Sequence, residues 1–313
     1  MSIPGSILVL GEYAILEEGG LGLAVAVDQR VRIDILASEE LCIDGVWPGG
    51  ALSWTPRQPS ASPLITAVVD EVELWLRGQS RGTALRGARL RVDSSALFGP
   101  DGRKSGLGSS AAVTVGLVCA LLEASGFRPD PADPSVLALA VEAHRRAQGG
   151  RGSGYDVSCS WHGGMGIFRG GARPGWEPCR LWEDRVICTF PGPSPVSTSQ
   201  AIRRYARWKE SSPEAARRFL AESNRGVSGF VHAQTGVEAA AHLRACRELG
   251  KSLGEAIGVT AEIETPPGLD AAWCKALGAG NELGACLLPA GELPRWTEIQ
   301  PLAVSREGIL WEE

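Results

Sequence analysis

A run of glycine, serine and alanine residues near the middle of the chain has the chemistry of a phosphate site. The segment from Gly106 to Gly126 has the sequence GLGSSAAVTVGLVCALLEASG and carries no charge before Glu123. Gly106 and Gly108 are free to adopt backbone angles closed to other residues and to let a ligand approach the main chain. The residues after them predict a helix, whose first amide groups have no intrahelical acceptor and lie at the positive end of its dipole. Because apolar residues cover most of the circumference, we predict a buried helix with an anion site at its start.

Two other nucleotide-binding motifs do not fit this segment. A Walker loop requires GxxxxGK followed by Ser or Thr, which the segment lacks. The dinucleotide fingerprint GxGxxG/A is formally matched by Gly106, Gly108 and Ala111, but it should connect two strands. Here the flanking sequences GPDGRKS and FRPDPADP are typical of loops. An ordinary glycine turn before a core helix remains the alternative interpretation.

Asp156 is the candidate catalytic carboxylate. It lies in GSGYDV, where the glycines Gly152 and Gly154 allow a close approach to a ligand. A carboxylate there is able to orient a bound ligand and to accept a proton from it. The alternative is an aspartate that caps a turn, which is common beside glycine.

Several cations are candidates for binding phosphate. Lys104 and Arg103 precede the glycine loop, and arginines flank the Asp156 segment and open the second half of the chain (Arg145, Arg146, Arg151, Arg203 and Arg204). Guanidinium groups bind phosphate in a bidentate manner. Charge runs on helices are also typical of solvated faces, so the group around Asp156 is our preferred one.

Composition indicates a compact enzyme. The chain has 313 residues, 44% of them hydrophobic, and a net charge of −5, which argues against a nucleic-acid surface. It has no run typical of a transmembrane span and no signal-peptide pattern at its N-terminus. The eight cysteines form neither a CxxC pair nor a Cys/His cluster, and Cys119, Cys188 and Cys286 have the surroundings of small core residues. We therefore expect a reducing cytoplasm.

The order of the elements predicts an α+β protein. Residues 6–10 predict a strand, and alternation predicts strands at 24–36 and 88–92. Proline preceded by Ser62 or Asp133 predicts two helix starts. Residues 43–62, rich in Trp, Pro and Gly, predict an irregular loop with one short strand at most. Residues 200–258 are mostly helical in pattern, and residues 285–288 predict a returning strand.

Four ordered segments together resemble the GHMP kinases. GLGSSAA is similar to the family's phosphate-binding motif, PGSILVLGEYAIL to its first motif and KALGAGNELGACLLP to its third. QGGRGSGYDVSCSWHGG resembles the segment that carries the catalytic aspartate in the phosphomevalonate kinases of this family. The segments span residues 4 to 289, which is most of the chain.

The resemblance implies a two-lobed α+β fold, with an N-terminal mixed α/β lobe at 1–192 and a helix-rich C-terminal lobe at 193–313. It implies ATP and Mg²⁺ as cofactors and an active site in the cleft between the lobes. The nucleotide would be bound by the phosphate loop (Gly106, Leu107, Gly108, Ser109, Ser110 and Ala111).

The resemblance also implies roles for individual residues. Asp156 and Lys104 would be catalytic, and Ser110 and Glu142 would bind the metal, although the helical pattern around Glu142 equally fits a solvated glutamate. The acceptor would be bound by residues from the first motif, the aspartate segment and the third motif (Glu12, Tyr13, Arg145, Arg151, Ser153, Gly278, Ala279 and Gly280).

Two positions depart from the family pattern. The first motif usually contains PGK, whose lysine neutralises the transferring phosphate, and here that lysine is replaced by Ser6. The third motif is usually GAGGGD in phosphomevalonate kinases and is GAGNEL here. We expect Lys104 to supply part of the lost positive charge.

By resemblance, the expected activity is ATP-dependent phosphorylation of phosphomevalonate to its diphosphate in isoprenoid biosynthesis. The alternatives are phosphorylation of an alcohol, as in mevalonate kinase and other GHMP kinases, and a non-catalytic homologue that binds nucleotide or metabolite. We expect a small-molecule substrate, no nucleic-acid or membrane partner and a cytoplasmic location, and we leave homodimer formation open.

Overall fold

The computed structural model describes residues 1–79, 84–99, 102–150, 152–180, 185–193, 197–289, 291 and 299–311. The described strands are β1 (Ser2–Leu10), β2 (Leu21–Ala37), β3 (Cys42–Trp47), β4 (Gly50–Trp54), β5 (Ala88–Asp93), β6 (Met165–Arg169), β7 (Gly175–Pro178), β8 (Arg185–Pro191), β9 (Cys274–Leu277), β10 (Leu283–Pro289) and β11 (Gln300–Pro301). The described α-helices are α1 (Pro63–Gly78), α2 (Ser109–Ala124), α3 (Pro134–Ala147), α4 (Tyr155–His162), α5 (Thr198–Ser211), α6 (Pro213–His232) and α7 (Gly236–Ile257). The predicted α+β class is confirmed.

The chain packs into two compact units. The first comprises Met1–Ser6, Ala26–Gly164 and Ser305–Glu313, and the second comprises Ile7–Val25 and Met165–Val304. Strands β1 and β2 each contribute residues to both units. Our division into lobes at residue 193 stays a prediction, since these units are defined by internal packing and not by the sequence break at 191–198.

The first unit contains helices α1–α4 and part of a seven-stranded sheet. In this part of the sheet β4, β3, β5 and β2 lie side by side in that order, with β3 parallel to β5 and the other two pairs antiparallel, and β1 pairs with β2. Helix α2 lies against this sheet so closely that a Cβ atom on Gly116 would lie 2.5 Å from Cδ1 of Ile33 and 2.7 Å from Cδ1 of Ile3. Glycine at position 116 therefore brings the buried helix onto the sheet, and the helix holds the phosphate loop at its start.

The capping residues explain where two of these helices begin. The Ser62 hydroxyl accepts a hydrogen bond from the amide of Ile65 at 3.3 Å, and proline follows at the first position of α1. The Asp133 carboxylate accepts from the amide of Ser135 at 2.8 Å at the start of α3. Each side chain satisfies an amide that the helix itself leaves without an acceptor. Both predicted helix starts are confirmed.

The second unit contains helices α5–α7 and a sheet of order β11-β8-β10-β9. The first residues of β2 pair with β6, which pairs with β7. An apolar cluster from α5, α6 and α7 buries Tyr205, Phe219 and Leu253. A second cluster lies on the sheet and includes Phe190 and Leu288.

Two expectations about this architecture were wrong. Residues 43–62 do not form an irregular loop: Cys42–Trp47 and Gly50–Trp54 form an antiparallel hairpin, because Ile43 and Trp54 face each other and are buried. Cys286 is not an isolated core thiol, since it forms a disulfide with Cys274, its direct partner on the neighbouring strand. These cysteines are 12 positions apart in the sequence, and the pairing of their strands brings them together. A search for CxxC pairs does not detect such a disulfide.

Candidate active site

The predicted phosphate loop has the backbone that its glycines allow. Gly106 and Gly108 have φ angles of 73° and 66°, a left-handed conformation that favours glycine, and α2 begins at Ser109 directly after them. Leu107 is buried, and its carbonyl accepts a hydrogen bond of 3.0 Å from the amide of Ser6. The loop is therefore fixed to β1, and the amides of Ser109, Ser110 and Ala111 form the first turn of a buried helix.

Ser6 lies under this loop. Its side chain is 0% exposed, and its hydroxyl oxygen has no hydrogen-bond partner among the described residues. A Cβ atom on Gly108 would lie 2.4 Å from this oxygen. Ser6 thus packs against the loop at the position where the related motif has lysine, and it brings no charge to it.

His144 contacts the first turn of α2. Its Nε2 atom lies 3.2 Å from the Ser110 hydroxyl oxygen and 3.1 Å from the side-chain nitrogen of Gln148. The imidazole is 1% exposed, on the face of α3 that also buries Val136 and Ala140. Sequence reasoning missed this residue, although its spacing of four from Ala140 and eight from Val136 places it on the apolar face of α3.

Asp156 lies on the other side of the same imidazole. Its Oδ1 atom is 3.6 Å from Nδ1 of His144 and accepts a hydrogen bond of 2.9 Å from the amide of Val157. Asp156 belongs to the first turn of α4, which begins after Gly154 with φ 86°. We predicted no helix here, because Gly152 and Gly154 are typical of a loop. The predicted catalytic carboxylate and the predicted metal-binding hydroxyl thus lie next to opposite nitrogens of one histidine ring.

Arg145 fixes the loop before Asp156. Its guanidinium donates to the carbonyl oxygens of Gly152 and Ser153, each at 3.0 Å, and also contacts Glu142 at 3.2 Å. The Ser153 hydroxyl accepts from the amide of Tyr155 at 3.3 Å. These contacts give Arg145 and Ser153 a part in the shape of the loop, and their binding of an acceptor stays a prediction. Arg151 lies outside the described residues.

The predicted metal ligands differ in how well they fit Mg²⁺. Mg²⁺ bound with ATP takes one or two protein oxygens together with phosphates and water. The Ser110 hydroxyl at the start of α2 suits this role. The Glu142 side chain is 63% exposed and pairs with Arg145, as expected for a solvated glutamate, so its role as a ligand stays a prediction. Within the described ranges, no group of three or more His, Cys, Asp or Glu side chains could hold a metal ion.

Lys104 is exposed and lies just before the loop. Its backbone forms an isolated antiparallel bridge with Phe98, which fixes the main chain at this point. An exposed ammonium group on an ordered backbone is free to turn toward an anion. Its catalytic role stays a prediction.

The remaining predicted residues meet in the second unit. Lys275 is buried, with 3% of the residue exposed. Its ammonium group donates to the Glu12 carboxylate, to the carbonyl oxygen of Val9 at 3.1 Å and to the carbonyl oxygen of Ala276 at 2.6 Å. The Tyr13 hydroxyl donates to the carbonyl oxygen of Ala279 at 2.5 Å. The first and third motifs are therefore joined by side-chain contacts. Sequence reasoning missed Lys275, whose signal is a single lysine within the apolar run WCKAL.

A pocket opens beside these contacts. Its lining includes Glu12, Tyr13, Arg247, Lys275, Gly278 and Gly280. Burial, followed by the charge of Glu12, raises the pKa of the Tyr13 phenol, so Tyr13 stays a neutral hydrogen-bond donor. Burial also raises the pKa of the nearby Cys246 thiol to about 11, which leaves it protonated and unreactive at neutral pH.

Tyr13 has a strained backbone. Its φ of 62° makes it the one non-glycine residue with positive φ in the part of the chain that the structure describes. Such strain persists where surrounding contacts determine the conformation, and it is concentrated at functional sites. The contact with Ala279 and the packing of the Tyr13 ring on Tyr205, with centroids 5.3 Å apart, are the contacts that hold it.

None of the helices in the described segments is both long enough and apolar enough to cross a membrane.

Comparison with known proteins finds relatives among the GHMP kinases. Residues 65–164 match the family described as GHMP kinases N terminal domain. Over 179 residues the chain is 30% identical to a phosphomevalonate kinase of Streptomyces sp. (strain CL190), a match that covers 51% of this chain and 46% of that protein. The matched region is thus about half the length of that relative. Over 322 residues the chain is 27% identical to a mevalonate kinase of Archaeoglobus fulgidus, covering 100% of this chain and 99% of that protein.

A solved structure shows the same fold. The phosphomevalonate kinase of Streptococcus pneumoniae, in complex with phosphomevalonate and AMPPNP, superposes with a TM-score of 0.74 at 20% identity, over 92% of this chain and 91% of that one. The chain therefore carries the N-terminal domain of the GHMP kinases within the fold of that family, and the resemblance indicated by its four motifs is confirmed.

Proposed function

We propose that the chain is an ATP-dependent kinase that transfers the γ-phosphoryl group to phosphomevalonate and forms its diphosphate. The observation that carries this proposal is the link within the first unit from the glycine loop through Ser110 and His144 to Asp156. Relatives named phosphomevalonate kinase support this choice of acceptor.

Different residues bind the nucleotide phosphates and the phosphoryl group that is transferred. The amides of the phosphate loop and of the first turn of α2 bind the nucleotide phosphates, and Lys104 faces the transferring group. An acceptor oxygen forms a bond to the γ-phosphorus while the bond from that phosphorus to the bridging oxygen breaks, and ADP leaves. Mg²⁺ at Ser110 and the nucleotide phosphates would neutralise charge that develops on the transferring group.

The acceptor determines what Asp156 must do. An alcohol must lose a proton to become a nucleophile, and the Asp156 carboxylate would accept it. A phosphomonoester has a second pKa of about 6 and is mostly ionised at neutral pH. With phosphomevalonate, Asp156 therefore orients the acceptor and has little proton transfer to perform.

We propose a small-molecule site in the pocket of the second unit. Glu12 and Tyr13 are held there by Lys275 and Ala279, and Gly278 and Gly280 leave the main chain open to a ligand. Fixed polar groups of this kind set the orientation of a small molecule in a pocket.

Mevalonate is the second candidate acceptor. The Archaeoglobus mevalonate kinase matches the chain over its whole length, whereas the phosphomevalonate kinases match about half of it. A non-catalytic homologue is the third candidate, favoured by the uncharged Ser6 and the GAGNEL sequence.

We also propose a cytoplasmic location. The six cysteines that remain free thiols fit a reducing compartment. The disulfide between Cys274 and Cys286 would have to persist under reducing conditions. Both cysteines are buried within the sheet, which protects the bond from small thiols.

A coupled assay of ADP release tests the function. Phosphomevalonate, mevalonate, homoserine and galactose are supplied in turn with ATP and Mg²⁺. We expect the highest kcat/KM with phosphomevalonate. A higher value with mevalonate would select the second candidate, and no turnover with any acceptor, in a protein that still binds ATP, would select the third.

A further inference from the structure

We propose that the pocket of the second unit binds the phosphoryl group of a small phosphate ester through the Arg247 guanidinium and the Ser223 hydroxyl. This inference rests on the small-molecule site proposed above and names the chemistry of its ligand. It does not rest on the kinase reaction, because binding is measured without turnover.

The Lys275 ammonium lines the pocket but is not available to a ligand. Its three hydrogens meet three acceptors, which are the Glu12 carboxylate and the carbonyl oxygens of Val9 and Ala276. Lys275 also neutralises Glu12, whose side chain is 17% exposed. An anion in this pocket therefore needs a different cation.

Arg247 is a fixed cation with an unused donor. Its Nε atom lies 3.4 Å from Oε1 of Glu248, and its Nη1 atom donates to the carbonyl oxygens of Ala271 and, at 3.5 Å, of Cys274. Nη2 has no hydrogen-bond partner among the residues that the structure describes. The side chain is 29% exposed, and Arg247 lines the pocket. Its contacts hold the guanidinium in place and leave Nη2 for a ligand.

Ser223 brings a second unused donor to the same pocket. The residue is 5% exposed, and its hydroxyl makes no hydrogen bond to any residue of the described ranges. A buried hydroxyl normally has a partner, so an unpaired one in a pocket wall indicates a ligand. Helices α6 and α7 meet beside it, where a Cβ atom on Gly226 would lie 2.4 Å from Sγ of Cys246. Ser223 lies about one turn before Gly226 and Arg247 follows Cys246, so the two donors come from neighbouring turns.

The size of the pocket limits the ligand. Its volume is about 40 Å³, and one water molecule needs about 10–15 Å³. The enclosed part therefore admits a single small group and not a nucleotide.

The two donors select a phosphoryl group. Guanidinium groups bind phosphate through charge-assisted hydrogen bonds, and a tetrahedral phosphoryl group presents oxygens in several directions to donors on two helices. Glu12 is the one acidic residue among the described residues of the lining. Lys275 contacts its Oε1 atom, which leaves Oε2 to accept from a hydroxyl of the ligand. The pocket thus suits a phosphate ester that also carries a hydroxyl.

Calorimetric titration with inorganic phosphate tests the site. AMPPNP and Mg²⁺ are present throughout, so that the phosphate loop of the first unit is occupied. We expect Arg247→Gln to weaken phosphate binding by about tenfold or more, the scale of a lost hydrogen bond to a charged group, and Ser223→Ala to weaken it by a few-fold. Arg244→Gln removes an exposed arginine from the same helix and is the matched control. Wild-type phosphate affinity in a folded Arg247→Gln protein, or acetate bound as tightly as phosphate, would overturn the proposal.

A second measurement uses the wild-type side chain. Arg247 supports the carbonyl oxygens of Ala271 and Cys274, so its removal is able to disturb the fold. In nitrogen-15 NMR of arginine side chains, the Nε resonance of Arg247 is identified by its loss in Arg247→Lys. We expect phosphate to shift this resonance and to leave that of Arg244 unchanged. An Arg247 resonance that does not respond to phosphate would overturn the site.

Kinetics identify the source of the phosphoryl group. If the ester is the kinase acceptor, Arg247→Gln raises the KM for phosphomevalonate about tenfold and leaves the KM for ATP unchanged. If the ester is a separate metabolite, the KM for phosphomevalonate stays at the wild-type value while phosphate binding is weakened. Both results support the phosphoryl site. If no acceptor is phosphorylated, the proposed kinase fails, whereas the phosphate titration still decides whether Arg247 and Ser223 bind an anion.

Discussion

The Ser6 hydroxyl oxygen occupies the space that a side chain on Gly108 would need, at 2.4 Å from a Cβ atom placed there. The Gly108 backbone has φ of 66° as well, so two independent features require glycine at the start of α2. Ser6 of strand β1 and Gly108 of the phosphate loop are thus packed too closely for a side chain at position 108.

We predict that Gly108→Ala weakens ATP binding strongly and lowers the melting temperature, and that Ser6→Gly restores part of both losses by removing the clash. Calorimetric titration of AMPPNP and thermal unfolding measure the double-mutant cycle. Gly126→Ala is the control: it has a similar φ of 83° at the far end of α2, but the nearest atom is the Arg86 guanidinium at 3.5 Å. Unchanged AMPPNP affinity in a folded Gly108→Ala protein would contradict the assignment of the phosphate site.

Asp156→Asn separates the candidate acceptors. With an alcohol acceptor we predict a loss of kcat of about 10²-fold or more, since a base is lost. With phosphomevalonate we predict a smaller loss, because the nucleophilic oxygen is already ionised. The measurement is kcat for both acceptors, with thermal unfolding as the check on folding. Wild-type turnover on every acceptor would show that Asp156 only shapes its turn.

Lys104→Ala tests whether Lys104 supplies positive charge to the transferring phosphoryl group. We predict that kcat falls by about 10-fold, less than the 10²–10³-fold effect of removing a preorganised buried donor, because Lys104 is exposed. Lys104→Arg should retain most of the activity. Lys251→Ala, which removes a surface lysine paired with Glu262, is the charge-matched control. Equal kcat values in the two alanine variants would rule out a special role for Lys104.

Reduction of the disulfide should destabilise the protein. Linking Cys274 to Cys286, 12 positions apart, restricts the unfolded chain and contributes about 3 kcal/mol by loop entropy. We predict a lower melting temperature with a reductant that reaches buried sulfur, and no such response in a protein carrying both Cys274→Ser and Cys286→Ser. Thiol titration after denaturation should give six groups without reductant and eight with it. Eight thiols without reductant would show that the cysteines are not joined.

Helices α1, α2 and α3 were predictable, since their signals are local, whereas α4, which carries Asp156, was not. Ser62 and Asp133 cap helices whose prolines follow directly, and the apolar run after Gly108 has no surface face. The β3–β4 hairpin was not predictable in this way. Its tryptophans and glycines have the composition of a loop, and only the pairing of Ile43 with Trp54 buries it.

The candidate site shows the same limit. Gly106, Ser110 and Asp156 could be predicted as site residues because their motifs are short and continuous. His144 contacts Ser110, 34 positions away in the sequence, and Lys275 contacts Glu12, 263 positions away. No local sequence pattern indicates contacts over such separations. For His144 and Lys275, the available signal was a polar residue among apolar ones. A buried polar residue without a functional role gives the same signal.

The most direct test of the proposed kinase is phosphorus-31 NMR of the product formed from ATP, Mg²⁺ and phosphomevalonate. We expect diphosphate resonances of the acceptor to grow in proportion to ADP, to be absent without enzyme and to be strongly reduced with a Gly108→Ala protein that remains folded. ATP consumed with water alone, or no new diphosphate from an enzyme that binds AMPPNP, would contradict it.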